Sequence, residues 1–180
     1  MRGYFLTNMY LSPIQCGIQA AHCMHDMFVT YNRNQNMGYS FATELLWTWA
    51  KDHKTMIVLN GGTSDDLREV FDFMMKNEDI HQDYPFEQFR EPGIDGGLTC
   101  VGVVLNQRMI EGMKHVRENP PSEQCFVYRS ADVPTDEIST LWVNPEFDSP
   151  GDSLLPDDLE PAYTPGEWEL CRMLAHKSLA

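Results

Sequence analysis

The stretch from Leu11 to His22 constrains the fold of this chain more than any other part of the sequence. It follows the apolar run from Tyr4 to Tyr10, and Ser12 and Pro13 are typical of the N-cap and the first turn of a helix. A strand that leads into such a turn can bind an anion, because several main-chain N–H groups there lack intrahelical partners. The apolar residues that follow recur at helical spacing and predict a helix over about 13–31 with this face against the core: Ile14, Ile18, Ala21, His25 and Phe28.

A second, polar stripe lies beside the apolar one on the predicted helix. It consists of Gln15, Gln19, His22 and Asp26, at about 100° per residue. These side chains either face a ligand or form a solvated flank, and the spacing alone leaves both readings open. His22 can act as a general acid or base near neutral pH, or it can pair structurally with Asp26 one turn later.

Length and cysteine content indicate a single domain, or one domain with an appendage, in the cytoplasm. A chain of 180 residues can bury a hydrophobic core of ordinary size. Its start has one basic residue and no sustained apolar run, so no signal peptide is expected, and no apolar window of about 18 residues predicts a membrane span. The five cysteines are widely spread and lack a C-x-x-C pair, which favours reduced thiols.

The charge balance argues against a large polyanionic partner. Lys and Arg total 13 against 27 Asp and Glu, for a net charge of −14. Residues 131–160 hold nine acids and no base, so the remainder still carries 18 acids against 13 bases. Because contacts to a nucleic-acid backbone need Lys and Arg, tRNA is disfavoured, and a small anionic ligand that needs one or two phosphate contacts fits better.

Helices alternate with short apolar strands up to Leu105, which predicts an α/β fold. We expect three layers, α/β/α, around a four-stranded mixed sheet, with residues 1–105 as the main domain. The strand from Thr55 to Leu59 is predicted to be buried on both faces, and the strand from Thr99 to Leu105 to be central. The remaining elements are strands over 3–10 and 86–90 and helices over 41–52 and 63–76.

Residues 106–180 are predicted to form an acidic, Pro-rich extension packed on the core. This part holds eight of the eleven prolines. A helix is expected over 106–118, edge strands over 125–128 and 140–143, and an irregular acidic segment over 144–161. Thr164 and Glu167 match a capping box with Pro165 in the first turn, which predicts a final helix. Its docking residues are Trp168, Cys171, Leu174 and Ala175.

The first 105 residues resemble the type II, archaeal and eukaryotic peptidyl-tRNA hydrolase family. The helix-1 pattern of that family, Met-Ser-Lys-Gly-Lys-Ile-Ala-Ala-Gln-Cys-x-His-Ala, lies without gaps on residues 11–23 and matches at Ser12, Gln19 and His22. Its loop Asp-Ala-Gly-x-Thr and strand Gly-Thr-x-Thr-Val resemble residues 91–95 and 97–101. Its Trp-bearing helix, apolar strand and Ser-x-x-x-Leu helix start correspond to Trp47 and Trp49, 55–59 and 63–67.

The departures from that family fall on its chemistry. Gln15 stands where the family has a lysine that serves substrate phosphate or catalysis, and Pro13 replaces another lysine. Glu91 corresponds to the loop aspartate and Asp95 to the loop threonine, in a shorter loop. Gln cannot supply a positive charge, so the resemblance implies the fold more directly than it implies peptidyl-tRNA hydrolysis.

The candidate site therefore combines the helix start with the loop after the third strand. Glu91, Asp95 and His22 are the catalytic candidates, because two carboxylates whose pKa values differ can divide acid and base roles. The ligand-binding candidates are Ser12, Ile14, Gln15, Gln19 and Thr99. Arg90 and Lys54 are candidates to balance ligand charge. His22 and His25 have the spacing of a metal pair, but position 25 lies on the predicted apolar face, so no metal and no cofactor are expected.

Three functional hypotheses follow. The first is a protein that binds and hydrolyses a small nucleotide, such as a cyclic dinucleotide or an ADP-ribose-type immune signal, as suits a phage protein that counters host defence in the host cytoplasm. The second is a peptidyl-tRNA hydrolase with altered site residues. The third is a non-catalytic protein that sequesters a nucleotide or binds a basic partner through its acidic segment. The resemblance also implies a homodimer, since that family is commonly dimeric.

Overall fold

Four strands form one mixed sheet. The computed structural model describes residues 1–33, 40–119 and 163–180. The strands are β1 (Arg2–Asn8), β2 (Met56–Gly62), β3 (Phe86–Glu91) and β4 (Gly97–Leu105), in the spatial order β2-β1-β4-β3. β1 runs parallel to β2, and β4 runs antiparallel to both β1 and β3. The predicted α/β class, the four-stranded mixed sheet and the central position of β4 are therefore confirmed.

Six α-helices accompany these strands in the described residues. They are α1 (Pro13–Arg33), α2 (Phe41–Thr48), α3 (Ser64–Lys76), α4 (Glu78–Asp83), α5 (Gln107–Glu118) and α6 (Pro165–Ala175). A π-helical turn, Trp49–His53, continues α2, and a 3₁₀ turn, Pro92–Ile94, follows β3. α4 was not expected from the sequence. It has six residues and buries only Ile80, so its sequence shows no apolar periodicity from which a helix could be predicted.

Helices cover both faces of the sheet. On one face α1 approaches closely, since a Cβ at Gly102 of β4 would lie 3.1 Å from the Cys23 Sγ. The Trp49 ring packs beside it, and a Cβ at Gly3 would lie 2.8 Å from that ring. On the opposite face Leu67 of α3 occupies the space beside Gly61. Small residues in the sheet therefore set how closely the helices pack.

The predicted core face of α1 is wrong. The helix buries Cys16, Ala20, Cys23 and Met27, together with Gln19. Ile14 and Ile18 face the solvent instead, with exposed fractions of 78% and 46%. The reason is the sheet surface beneath the helix, where Gly102 lies beneath Cys23. Only the face with small side chains allows the helix axis to come this close, and that requirement outweighs the greater hydrophobicity of the isoleucine stripe.

β2 is an edge strand, and the prediction that it is buried on both faces is wrong, because Met56 is 38% exposed and Ile57 and Val58 are only partly buried. Its inner edge pairs with β1, and its outer edge meets the last residues of the described chain. The Asn60 N–H donates to the Ser178 carbonyl at 2.9 Å, and the Ala180 N–H donates to the Val58 carbonyl at 3.1 Å. Residues 178–180 therefore satisfy part of an edge that would otherwise lack hydrogen-bond partners.

α5 and α6 pack on each other and bury their apolar residues in the same core as the sheet. The capping box of α6 is confirmed: the Glu167 N–H donates to the Thr164 Oγ1, and the Thr164 N–H donates to Glu167 Oε2. The docking residues are buried, except Trp168, which is partly buried. The strands predicted over 125–128 and 140–143 and the acidic segment 144–161 lie outside the described residues, and the division into domains at residue 105 stays a prediction.

The sequence also favoured reduced cysteines and predicted no membrane span. Cys16, Cys23, Cys100 and Cys171 are buried free thiols. None of the helices in the described ranges is long and apolar enough to cross a membrane.

Candidate functional site

The topology brings several elements together at one end of the sheet, where β1, β2 and β3 have their carboxyl ends. After β1 the chain enters α1 on one face, and after β2 it enters α3 on the other. Adjacent parallel strands whose connections leave on opposite faces open a crevice at their carboxyl ends. Because β4 is antiparallel to β1 and β3 is antiparallel to β4, β3 also has its carboxyl end at this end of the sheet. The start of α1, Glu91 and Thr99 therefore lie at the same end of the sheet, although α1 is far from the other two in sequence.

Gln19 is the centre of this group. Its amide is almost fully buried, with an exposed fraction of 6%. The Thr99 hydroxyl donates to Gln19 Oε1 at 2.8 Å, and Gln19 Nε2 donates to Glu91 Oε2 at 2.8 Å. Each end of the amide thus has a fixed partner, and this hydrogen-bonded chain determines which way Gln19 points. Three predicted site residues, Gln19, Glu91 and Thr99, are brought into direct contact.

Glu91 is held as a carboxylate. Its second oxygen, Oε1, accepts a hydrogen bond from the Gly93 N–H at 3.2 Å. The hydrogen bond from Gln19, the Gly93 N–H and the nearby His22 ring lower the pKa of Glu91 below its ordinary value. All three stabilise the ionised form. Glu91 is partly exposed, so this carboxylate is ionised at neutral pH and accessible to a ligand.

His22 lies beside Glu91 on the exposed flank of α1. Its ring meets Phe89 of β3 edge-on, with centroids 4.7 Å apart. Asp26, the alternative structural partner of His22, instead lies 3.9 Å from the His25 ring. The described residues hold no cluster of three or more His, Cys, Asp or Glu side chains that could bind a metal ion.

The N-terminus of α1 is closed by its own side chains. The Ser12 N–H and hydroxyl both donate to Gln15 Oε1 at 2.9 Å, and the Gln15 N–H donates back to the Ser12 Oγ at 3.4 Å. Gln15 therefore completes a capping box in this structure. The Ile14 N–H is the donor of this turn that has no acceptor within the described part of the chain. The helix start offers an anion fewer free donors than the sequence suggested.

The remaining candidates do not bond to the Glu91 carboxylate. Asp95 follows the 3₁₀ turn in a left-handed conformation, with φ of 53°, and its exposed side chain bonds to neither Glu91 nor His22. Arg90 donates from Nη1 to the Gly96 carbonyl at 3.3 Å and so supports the same loop. Lys54 precedes β2, at the opposite end of the sheet from Glu91.

Two contributors were missed by the sequence reading. Asn8, at the end of β1, donates to the Ser64 hydroxyl at 3.0 Å, and that hydroxyl donates to the Leu98 carbonyl at 3.0 Å. This bridge fastens β1, α3 and β4 together beneath the crevice. Lys177 reaches the carboxyl end of β2, where its Nζ donates to the Gly61 carbonyl at 3.4 Å. A polar residue ending an apolar strand was a usable signal for Asn8, whereas a separation of 116 residues hid Lys177.

Comparisons with known proteins add nothing to this geometry. No family model matches the sequence. No curated protein matches it either. The site therefore has to be interpreted from its own residues.

Proposed function

We propose that this protein is a diverged relative of the type II peptidyl-tRNA hydrolases that binds and hydrolyses a small nucleotide. The order strand, helix, helix, strand, helix, strand, strand supports the relationship, with α4 as an addition between α3 and β3. Two of the positions that match the family pattern, Gln19 and His22, contact β3 at Glu91 and Phe89. The observation that carries the proposal is the chain of hydrogen bonds from Thr99 through Gln19 to the Glu91 carboxylate.

Glu91 acts as the general base in this proposal. An ionised carboxylate of fixed orientation accepts a proton from water, and the water oxygen forms the new bond to phosphorus. The bond from phosphorus to the leaving ester oxygen breaks, and His22 in its protonated form donates a proton to that oxygen. Gln19 is buried and both ends of its amide bond to other residues of the chain, so in this proposal it is a positioning residue.

A small ligand suits the charges around Glu91, at the carboxyl end of β3. In this proposal the Ile14 N–H, at the start of α1, and Arg90, the residue before Glu91, hold one phosphate. A tRNA would need many cations, and the whole sequence has 13 Lys and Arg against 27 acids. Both considerations favour a dinucleotide over a polynucleotide.

The test is a chromatographic assay of cyclic dinucleotides and ADP-ribose derivatives after incubation with purified protein. We expect consumption of at least one nucleotide by the wild type, and Glu91→Gln to bind it without consuming it. Glu87→Gln is the matched control, because Glu87 is also on β3 but its carboxylate is held by the Thr30 hydroxyl at 2.6 Å. Binding without consumption by the wild type would contradict hydrolysis and favour sequestration, and neither binding nor consumption would contradict the whole proposal.

Peptidyl-tRNA hydrolysis is the second candidate, and Gln15 separates it from the first. Gln15 now accepts both Ser12 donors, so Gln15→Lys would free the Ser12 N–H and hydroxyl and add a positive charge beside them. If the site differs from a peptidyl-tRNA hydrolase only at this residue, Gln15→Lys should gain ester cleavage of peptidyl-tRNA. No gain by a folded variant would indicate a site rebuilt for another substrate.

A further inference from the structure

An open cavity lies beside the amino end of β3, where Phe86 and Glu87 form part of its lining. Its volume is about 650 Å³, which falls in the range of about 300–1,000 Å³ that is typical of small-molecule sites. Residues of α1, α2, α3 and α4 complete its walls. Glu91 lies at the other end of β3 and does not line this cavity, so the cavity is distinct from the site described above.

Five aromatic rings line this cavity. They belong to Tyr31, Phe41, Phe71, His81 and Phe86. The Phe86 side chain is buried, and its ring centroid lies 5.7 Å from that of Phe71 and 5.9 Å from that of His81. Phe41 is 57% exposed, so its ring is available to a ligand. The face of an aromatic ring attracts a cation, because the ring quadrupole places negative charge there.

The fixed charges of the lining are negative. Asp83, the last residue of α4, and Glu87 both line the cavity. One oxygen of Glu87 accepts the Thr30 hydroxyl at 2.6 Å, and the other accepts the Gln88 N–H at 2.9 Å. These are neutral donors, so they leave the charge of the carboxylate unbalanced. Among the described lining residues there is no Lys or Arg, and the lining therefore suits a cation and repels an anion.

The helix ends around the cavity favour the same sign of charge. Thr30 and Tyr31 belong to the last turn of α1, and Met75 belongs to the last turn of α3. The carboxyl end of a helix carries a partial negative charge. α2 begins at the cavity and presents the opposite end, but there the Ser40 hydroxyl already accepts the Thr43 N–H.

We propose that this cavity binds a small organic cation with an alkylated ammonium head group. The aromatic rings contact the alkyl groups and attract the charge through their faces, while Asp83 and Glu87 provide the balancing negative charge. A bare metal ion fits less well, because hard cations need about six or more oxygen ligands and most of this lining is aromatic. The proposal is independent of the chemistry at Glu91.

The test is an NMR titration of the isotope-labelled full chain with choline, in parallel with dimethylbutanol, its neutral isostere in which carbon replaces the nitrogen. We expect choline to cause saturable shifts of the amide signals of His81, Gln82 and Asp83, which line the cavity. The neutral alcohol has the same shape but no charge, so it should bind at least about tenfold more weakly.

Phe41→Leu and Asp83→Asn separate the two contributions to binding. Both side chains are exposed, so neither change should unfold the protein. The first removes a ring and the second a charge, and each should weaken choline binding by about two- to fivefold. Asp52→Asn is the control, because it removes the same charge from an exposed position in the turn that follows α2, outside the lining.

Three results would overturn the proposal: equal affinity for choline and the alcohol, unchanged choline affinity in both variants, or no saturable shift at His81, Gln82 and Asp83. No nucleotide enters this titration. A failure of the cation site and a failure of the nucleotide proposal are therefore distinguishable.

Discussion

At the scale of single residues, Gln19 connects the structure to the chemistry. A buried amide has to satisfy both a donor and an acceptor, and here the acceptor takes the Thr99 proton while the donor binds Glu91. An apolar residue of the same size would fill the space but leave both partners without a hydrogen bond. The orientation of Glu91 therefore depends on the buried amide of Gln19.

Replacing this amide should raise the pKa of Glu91. In Gln19→Leu the largest cause of the lowered pKa is absent, and the carboxylate loses a stabilising donor. The measurement is an NMR pH titration of the Glu91 side-chain carbon in both proteins. Gln15→Leu, which breaks the α1 cap but not the contact to Glu91, should leave the titration unchanged. An identical Glu91 titration in wild type and Gln19→Leu would contradict the assigned hydrogen bond.

Glu91 makes a pH-dependent contribution to the stability of the fold. Because the pKa of Glu91 is lower in the folded chain than its ordinary value of 4.5, the ionised carboxylate stabilises the fold above that pH. This contribution is lost as the pH falls through the folded-state pKa. Glu91→Gln should thus melt below the wild type at pH 7, and the difference in melting temperature should shrink at acidic pH. A difference that grows on acidification would show the opposite sign of the shift.

At the scale of elements, α6 is fastened to the core by a buried carboxylate. Glu167 is 1% exposed, and its carboxylate accepts hydrogen bonds from the Tyr84 hydroxyl, the Arg108 guanidinium and the Thr164 N–H. Three elements, α4 with its following residue, α5 and α6, therefore meet at one side chain. The sequence predicted only the capping role, because Tyr84 and Arg108 are 83 and 59 residues away from Glu167.

Removing this carboxylate should destabilise the protein strongly. Glu167→Ala leaves the buried Tyr84 hydroxyl without its partner, at a cost of about 1–3 kcal/mol. The Arg108 side chain is 42% exposed and regains water, so its part adds below about 1 kcal/mol. Glu169→Ala is the control on the same helix. It removes a partly exposed pair with Arg172, worth below about 1 kcal/mol. Urea denaturation measures both free energies of unfolding, and similar losses for the two variants would show that Glu167 is not the fastening residue.

The close packing of α1 on the sheet has its own test. A methyl group at Gly102 would lie 2.7 Å from the Phe5 ring and 3.1 Å from the Cys23 Sγ, so Gly102→Ala should destabilise the fold by about 1–3 kcal/mol. Thermal unfolding of this variant checks the prediction. No loss would mean that α1 lies further from the sheet than described.

At the scale of the whole molecule, local patterns predicted the elements but not all of their surroundings. The cap of α6 and the order of the elements along the chain could be read from Thr164 and the apolar runs, because those signals act within a few residues. The buried face of α1 could not, since it depends on Gly102 in a strand about eighty residues later. The outer side of β2 likewise bonds to residues 178–180, which no pattern near β2 reveals.

Some contacts of the candidate site could also be predicted from the sequence, and others could not. Gln19, Glu91 and Thr99 were predicted and are in contact, and the family resemblance supplied their positions. Three contacts were not predicted: the capping role of Gln15, the bridge from Asn8 to Ser64 and the hydrogen bond from Lys177 to Gly61. Each depends on side-chain geometry or on chain ends that are distant in sequence. Long-range polar contacts are the part of a site that sequence spacing encodes least.

The most direct test of the central claim is a crystal structure of Glu91→Gln soaked with a cyclic dinucleotide that the wild type consumes. The variant should retain the uncleaved ligand, with a phosphate beside position 91 and His22, at the carboxyl end of β3. A ligand bound at any other part of the chain, or a cleaved ligand in this variant, would contradict the assignment of Glu91 as the base of this site.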